Sequence, residues 1–94
     1  MTPTTKISKK KLYVWQLAAF LRQYRMTMSG DELAAHLNRN KFLAGTGERY
    51  RGGRGTYTLI RETWRWVQED LDLPEEARKV ADAYVKPDGS YAYK

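Results

Sequence analysis

Arg61 and Arg65 stand one helical turn apart in a strongly periodic stretch, and Thr58 falls on the same side near its start. Arginine presents a fork of donors that pairs bidentately with a guanine edge in a major groove, so this spacing suits contact with duplex bases. Upstream, Arg49, Arg51 and Arg54 lie in a glycine-rich stretch, and Lys9, Lys10 and Lys11 form a run near the N-terminus. Backbone amides at a helix start attract anions, and neighbouring cations strengthen the attraction. The candidate anion-binding set is therefore Lys9, Lys10, Lys11, Arg49, Arg51 and Arg54 on phosphates, with Thr58, Arg61 and Arg65 entering a groove. The plainer alternative is a solvated helix face on which Arg61 and Arg65 pair with Glu62 and Glu69.

Other chemistries find little support. His36 is the only histidine and there is no cysteine, so thiolate nucleophiles, disulfides, cysteine-ligated zinc and two-histidine sites cannot form within one chain. The acids cluster at helix starts, as Asp31/Glu32, Asp70/Asp72 and Glu75/Glu76, where capping and solubility account for them. In the stretch from Gly47 to Arg54 two glycines stand five apart, as in a phosphate-binding NTPase loop. Gly53 and Arg54 then occupy the places where that loop needs Lys and Ser or Thr. No catalysis, metal or cofactor is expected.

The elements that would hold these residues read mainly as helices. Residues 1–9 form a basic tail, and 10–94 a single domain. A first helix is expected from Lys10 to Arg25, with Tyr13, Val14, Leu17, Phe20, Leu21 and Tyr24 as its apolar stripe and Leu12 and Trp15 outside it. Met26 to Met28 is a connector. Ser29-Gly30-Asp31-Glu32 is a capping box opening a second helix to about Arg39, which buries Leu33 and Leu37. Residues 41–55 hold five of the seven glycines and read as a loop, with Phe42 and Leu43 returning to the core.

A third helix is expected to begin near Thr56 or Tyr57, with Tyr57, Ile60, Trp64, Val67 and Leu71 buried. Thr58, Arg61, Glu62, Arg65, Gln68 and Glu69 take its opposite face, and Leu59 and Trp66 lie between the two. Pro74 opens a fourth helix with Ala77, Val80, Ala81 and Tyr84 inward. Lys86-Pro87-Asp88-Gly89 then reads as the turn of a C-terminal β-hairpin.

Charge is unevenly spread. Residues 1–65 carry 13 Lys/Arg against 4 Asp/Glu, and residues 66–94 carry 4 against 7, within a net +6. A basic half of this kind suits a polyanionic partner. The longest clean apolar run, Leu17 to Leu21, is far short of a membrane span. The absence of cysteine and of a signal-type apolar stretch fits a cytoplasmic setting.

The order of helix, capped short helix, loop and longer helix with an arginine face is that of a tri-helical helix-turn-helix domain. Ser29 to Leu37 looks like its supporting helix, and Gly53 to Trp64 like its recognition helix with lead-in. This pattern resembles the N-terminal DNA-binding region of KfrA-type plasmid proteins over residues 11–67, where a glycine and a threonine precede an apolar helix ending in tryptophan. In place of that family's long coiled coil stand a fourth helix and a terminal hairpin that could act as a wing. The resemblance implies a DNA-binding regulator from a mobile element. Two other readings stay open. One is a protein-interaction module, such as a small phage- or plasmid-encoded modulator of a host protein, anchored by Trp15, Leu59 and Trp66, with Trp15 and Trp66 also open to a homodimer patch. The other is RNA binding through the arginine-glycine loop, with Tyr50 as a stacking ring.

Overall fold

The computed structural model describes residues 9–42, 47–50, 53–86 and 88–92. Four helices follow one another: α1 (Lys9–Gln23), α2 (Gly30–Arg39), α3 (Gly53–Arg65) and α4 (Pro74–Ala83). Two short strands, β1 (Met28–Ser29) and β2 (Tyr84–Val85), form a parallel pair with Met28 opposite Tyr84 and Ser29 opposite Val85. The expected mainly helical class is what folds. Among the described residues no helix is long and apolar enough to cross a membrane.

The capping box forms as the sequence implies. Ser29 Oγ accepts from the Glu32 amide at 3.2 Å, and Glu32 Oε1 accepts from the Ser29 amide at 3.2 Å. Two amides of the first turn that would otherwise lack partners are thereby satisfied, and α2 starts at a fixed residue. Its buried side is Gly30, Leu33, Ala34 and Leu37. Pro74 opens α4, followed by Glu75 and Glu76 in the first turn. Ala77, Val80 and Ala81 turn inward as expected, and Tyr84 is fully buried, although it belongs to β2 rather than to the helix.

In two helices the buried stripe is rotated from its expected position. On α1 the buried residues are Val14, Ala18 and Leu21, while Phe20 and Tyr24 are 51% and 57% exposed. Ala18 takes a place in the buried core, and the bulky Phe20 and Tyr24 rings fall on the helix's open side. The helix also starts one residue earlier than expected and ends two residues sooner. On α3 and the turn that continues it, the fully buried line is Thr56, Ile60, Thr63 and Val67, flanked by buried Leu59 and Trp66, with Tyr57, Trp64 and Leu71 only half-buried. Both threonines can be buried because their hydroxyls are used. Thr56 donates to the Gly30 carbonyl at 2.9 Å, and Thr63 to the Leu59 carbonyl at 2.7 Å.

Trp15 and Trp66 meet edge to face, with ring centroids 5.8 Å apart, in a second small cluster with Val67 and Ala77. The Trp15 indole donates to Glu76 at 3.2 Å. Leu59, Trp66 and largely Trp15 are therefore core, not the surface anchors that an interaction module would use. Past Arg65 the helix widens into a π-helical turn over Trp66–Asp70.

At the C-terminus the chain reverses about Asp88-Gly89, where Gly89 takes a φ of 89°. The Lys86 amide donates to the Ser90 carbonyl at 2.7 Å, and Val85 bridges Tyr91 antiparallel. This reversal is the expected hairpin reduced to one bridge, and the sheet partner of β2 is β1, from the other end of the domain. Tyr84, at their junction, sends its hydroxyl to the Val14 carbonyl at 2.7 Å.

Candidate nucleic-acid interface

Three helix ends converge on Tyr50. This residue is 8% exposed, and the Asn38 carboxamide near the end of α2 grips its backbone from both sides. The Tyr50 amide donates to Asn38 Oδ1 at 2.8 Å, and Asn38 Nδ2 donates to the Tyr50 carbonyl at 2.9 Å. From the start of α1, Lys10 Nζ donates to the Tyr50 hydroxyl at 2.9 Å and lies 5.3 Å from the ring centre. In the first turn of α3, a Cβ built on Gly55 would rest 3.5 Å from the ring, an ordinary contact distance. The beginnings of α1 and α3 and the segment bearing Arg49 are thus drawn to one corner of the molecule.

The candidate residues divide accordingly. Lys9 and Arg49 are exposed, and Lys11 is half-buried. Lys10 is bound to Tyr50, so its ammonium is held in place at this corner. Arg54 falls in the first turn of α3, where its side chain is outside the described part of the structure, and Arg51 and Leu43 lie outside the described residues altogether. Helix α3 begins at Gly53, three residues before the expected start, which places Arg54 inside the helix instead of in its lead-in.

Thr58, Arg61 and Arg65 are all exposed on the outer side of α3, as is Glu62, and Gln68 and Glu69 are exposed in the π-helical turn that follows. The expected pairing with acids is present only at its weakest. Arg65 Nε lies 3.9 Å from Glu69 Oε2, with the two side chains 64% and 63% exposed. A pair this long and this wet is worth little and leaves the guanidinium available. Arg61 makes no ion pair among the described residues.

One expectation needs correcting at this site. Tyr50 is not a stacking platform, because its ring is buried and covered by Lys10. Asn38, in the last turn of α2, is the residue that fixes the basic segment, and a lone asparagine gives no sequence signal for that role. Elsewhere, Lys79 at 2.9 Å and the Trp15 indole hold the Glu76 carboxyl below its usual range against the opposing effect of burial. Among the described residues no three His, Cys, Asp or Glu side chains gather as metal ligands, and His36 is half-buried on α2. The chain matches no family model, no curated protein and no solved structure.

Proposed function

We propose that this chain binds nucleic acid, and duplex DNA in preference to RNA, with α3 as the element that enters the major groove and α2 as its support in a helix-turn-helix-like arrangement. The supporting observation is the convergence at Tyr50. It gathers cations from the start of α1 and from Arg49 at the N-terminal end of α3, the helix whose outer side carries Thr58, Arg61 and Arg65. A helix N-terminus with nearby cations suits phosphate, and the arginines one and two turns farther along suit base edges. Lys9, Lys10, Lys11, Arg49, Arg51 and Arg54 supply the sequence-independent part of the affinity, and Thr58, Arg61 and Arg65 the selective part.

Duplex rather than single-stranded RNA is favoured because the ring at the centre of the basic corner is closed off. Tyr50 is buried there, whereas single-strand binders stack bases on open rings. The interaction-module reading loses its anchors with Leu59 and Trp66 inside the core.

The test is a titration of a random-sequence duplex pool and of single-stranded RNA at two salt concentrations, followed by amide shifts. Duplex should move amides across 53–65, with affinity falling steeply as salt rises. Replacing both Arg61 and Arg65 with alanine should flatten the sequence preference recovered from the pool, at about 1–3 kcal/mol per lost base contact. Replacing Arg49 should weaken all sequences alike and lower the salt slope by about one. Shifts produced by neither nucleic acid, or confined to residues outside α1 and α3, would refute the proposal.

A further inference from the structure

Four of the five large apolar side chains exposed among the described residues are Phe20 and Tyr24 at the end of α1, Met26 just after it, and Leu73 just before α4. Phe20 and Tyr24 rest against each other, ring centroids 4.9 Å apart, yet each remains about half exposed. Beside them an open hollow of about 560 Å³ runs between the helices, and its only charged lining residues are Arg22 and Lys79. A second open hollow, of about 310 Å³, surrounds Leu73 and Pro74, and its charged residues are Asp72, Glu75 and Glu76. The Glu76–Lys79 ion pair, 2.9 Å long, marks the border between the two.

The helices run in the same direction. Trp15 meets Glu76, Gln16 and Phe20 share a hollow with Lys79 farther along, and the strands that follow the two helices pair in parallel. One of these adjoining hollows is therefore acidic with an exposed leucine and proline, and the other is cationic with the exposed Phe20 ring.

We infer that these two hollows are the complementary halves of a self-association surface, pairing two copies of the chain antiparallel about a two-fold axis that passes between them. A two-fold interface places residue i against j and j against i, so each copy's Phe20 and Tyr24 meet its partner copy's Leu73 and Pro74, and each Arg22 and Lys79 faces Asp72 and Glu75. Aligning the helices in parallel would set Arg22 and Lys79 against themselves, which the charges disfavour. A nucleic-acid backbone would satisfy the cations but leave the rings uncovered, and it would be repelled by the acidic half. This inference does not depend on the nucleic-acid reading, since none of its residues belongs to that candidate set.

The test is sedimentation of the full chain over a wide concentration range, in about 0.15 M salt so that the net +6 repulsion is screened beyond about 8 Å. The chain should approach twice its 11.0 kDa mass as concentration rises. R22E and E75K, each at an exposed or half-exposed position, should each weaken self-association by roughly tenfold, because both symmetry-related contacts are reversed. An equimolar mixture of the two should recover it. F20S should abolish it without altering the circular dichroism spectrum. A chain that stays at 11.0 kDa throughout, or a mixture that fails to recover, overturns the inference. So does a monomer whose Phe20 and Tyr24 amides shift instead with phosphatidylglycerol vesicles, which would assign the surface to a membrane.

Discussion

Replacing Gly30 with alanine tests how α2 and α3 are held together, and hence how the outer side of α3 is aimed. Alanine is ordinarily the better helix residue by about 0.5–1 kcal/mol, so the substitution would be expected to stabilise at an open position. Here the added Cβ would lie 2.7 Å from Tyr57 Cε1 and 2.8 Å from Thr56 Oγ1, where ordinary contact begins near 3.4 Å. The tyrosine ring is half-buried and can swing outward. Thr56 cannot, because it is fully buried and its hydroxyl is bound to the carbonyl of Gly30 itself. The threonine therefore decides the sign. Overpacking of this kind costs about 1–3 kcal/mol, which outweighs the helical gain and leaves a net loss of about 1–2 kcal/mol.

In a chain of this length that loss lowers the thermal midpoint by roughly 5–15 °C. Circular dichroism melts of G30A would measure it, and a second melt in a T56A background would assign it. With the hydroxyl gone, part of the cost of G30A should disappear, and the two substitutions should be non-additive by a sizeable fraction of a kilocalorie. A G30A protein that melts at or above the wild-type midpoint would refute the argument. Equal costs in both backgrounds would show that Thr56 is not the obstruction.

Asn38→Ala removes both hydrogen bonds that hold the Tyr50 backbone and should cost about 1–3 kcal/mol. Faster amide exchange at Tyr50 than at Leu37 would locate the effect, and unchanged exchange at Tyr50 would contradict it. Tyr84→Phe breaks the bond to the Val14 carbonyl and should cost about 1–2 kcal/mol at neutral pH. Burial, with Tyr13 adding to it, pushes the Tyr84 hydroxyl above its ordinary range. The folded chain therefore keeps a proton that the unfolded chain gives up near pH ~10, so this stabilisation is whole below that pH and is lost as the pH climbs past it. Urea midpoints of the wild type should fall through this alkaline window more steeply than those of Tyr84→Phe, and parallel slopes would count against the assignment.

The parts of the fold that could be read from sequence are those set by neighbours in the chain. Ser29 and Glu32 are three residues apart, and nothing distant is needed for each to cap the other. Pro74 before two glutamates fixes the start of α4 in the same way, and the exposed side of α3 could be read because its charged residues have no other stable place. The β1–β2 pair was beyond reach. Two-residue strands carry no alternation, and Met28 and Tyr84 are brought together only when α1 and α4 lie side by side in the same direction. The Tyr50 corner was beyond reach for a similar reason, since its lysine, asparagine and glycine come from three different helices.

The misplaced stripes on α1 and α3 have one cause. With twelve aromatic residues in the chain, the largest side chains dominate any periodicity, and size was read as depth. In this domain small side chains take up much of the helices' inner surface. Ala18 takes the inner side of α1, Ala77, Ala81 and Ala83 that of α4, and Thr56 presses on Gly30. Close approach leaves no room for a ring at those points, so the rings move to where the helices diverge. Trp15 and Trp66 close the gap at one end, and Tyr13 packs on Phe42 at another. Phe20 and Tyr24 have no such gap to fill and remain open on the outer side of α1, next to Arg22. Their exposure follows from the close packing of α1 on α4, and it is what gives the outer side of α1 an apolar surface that a second copy could cover.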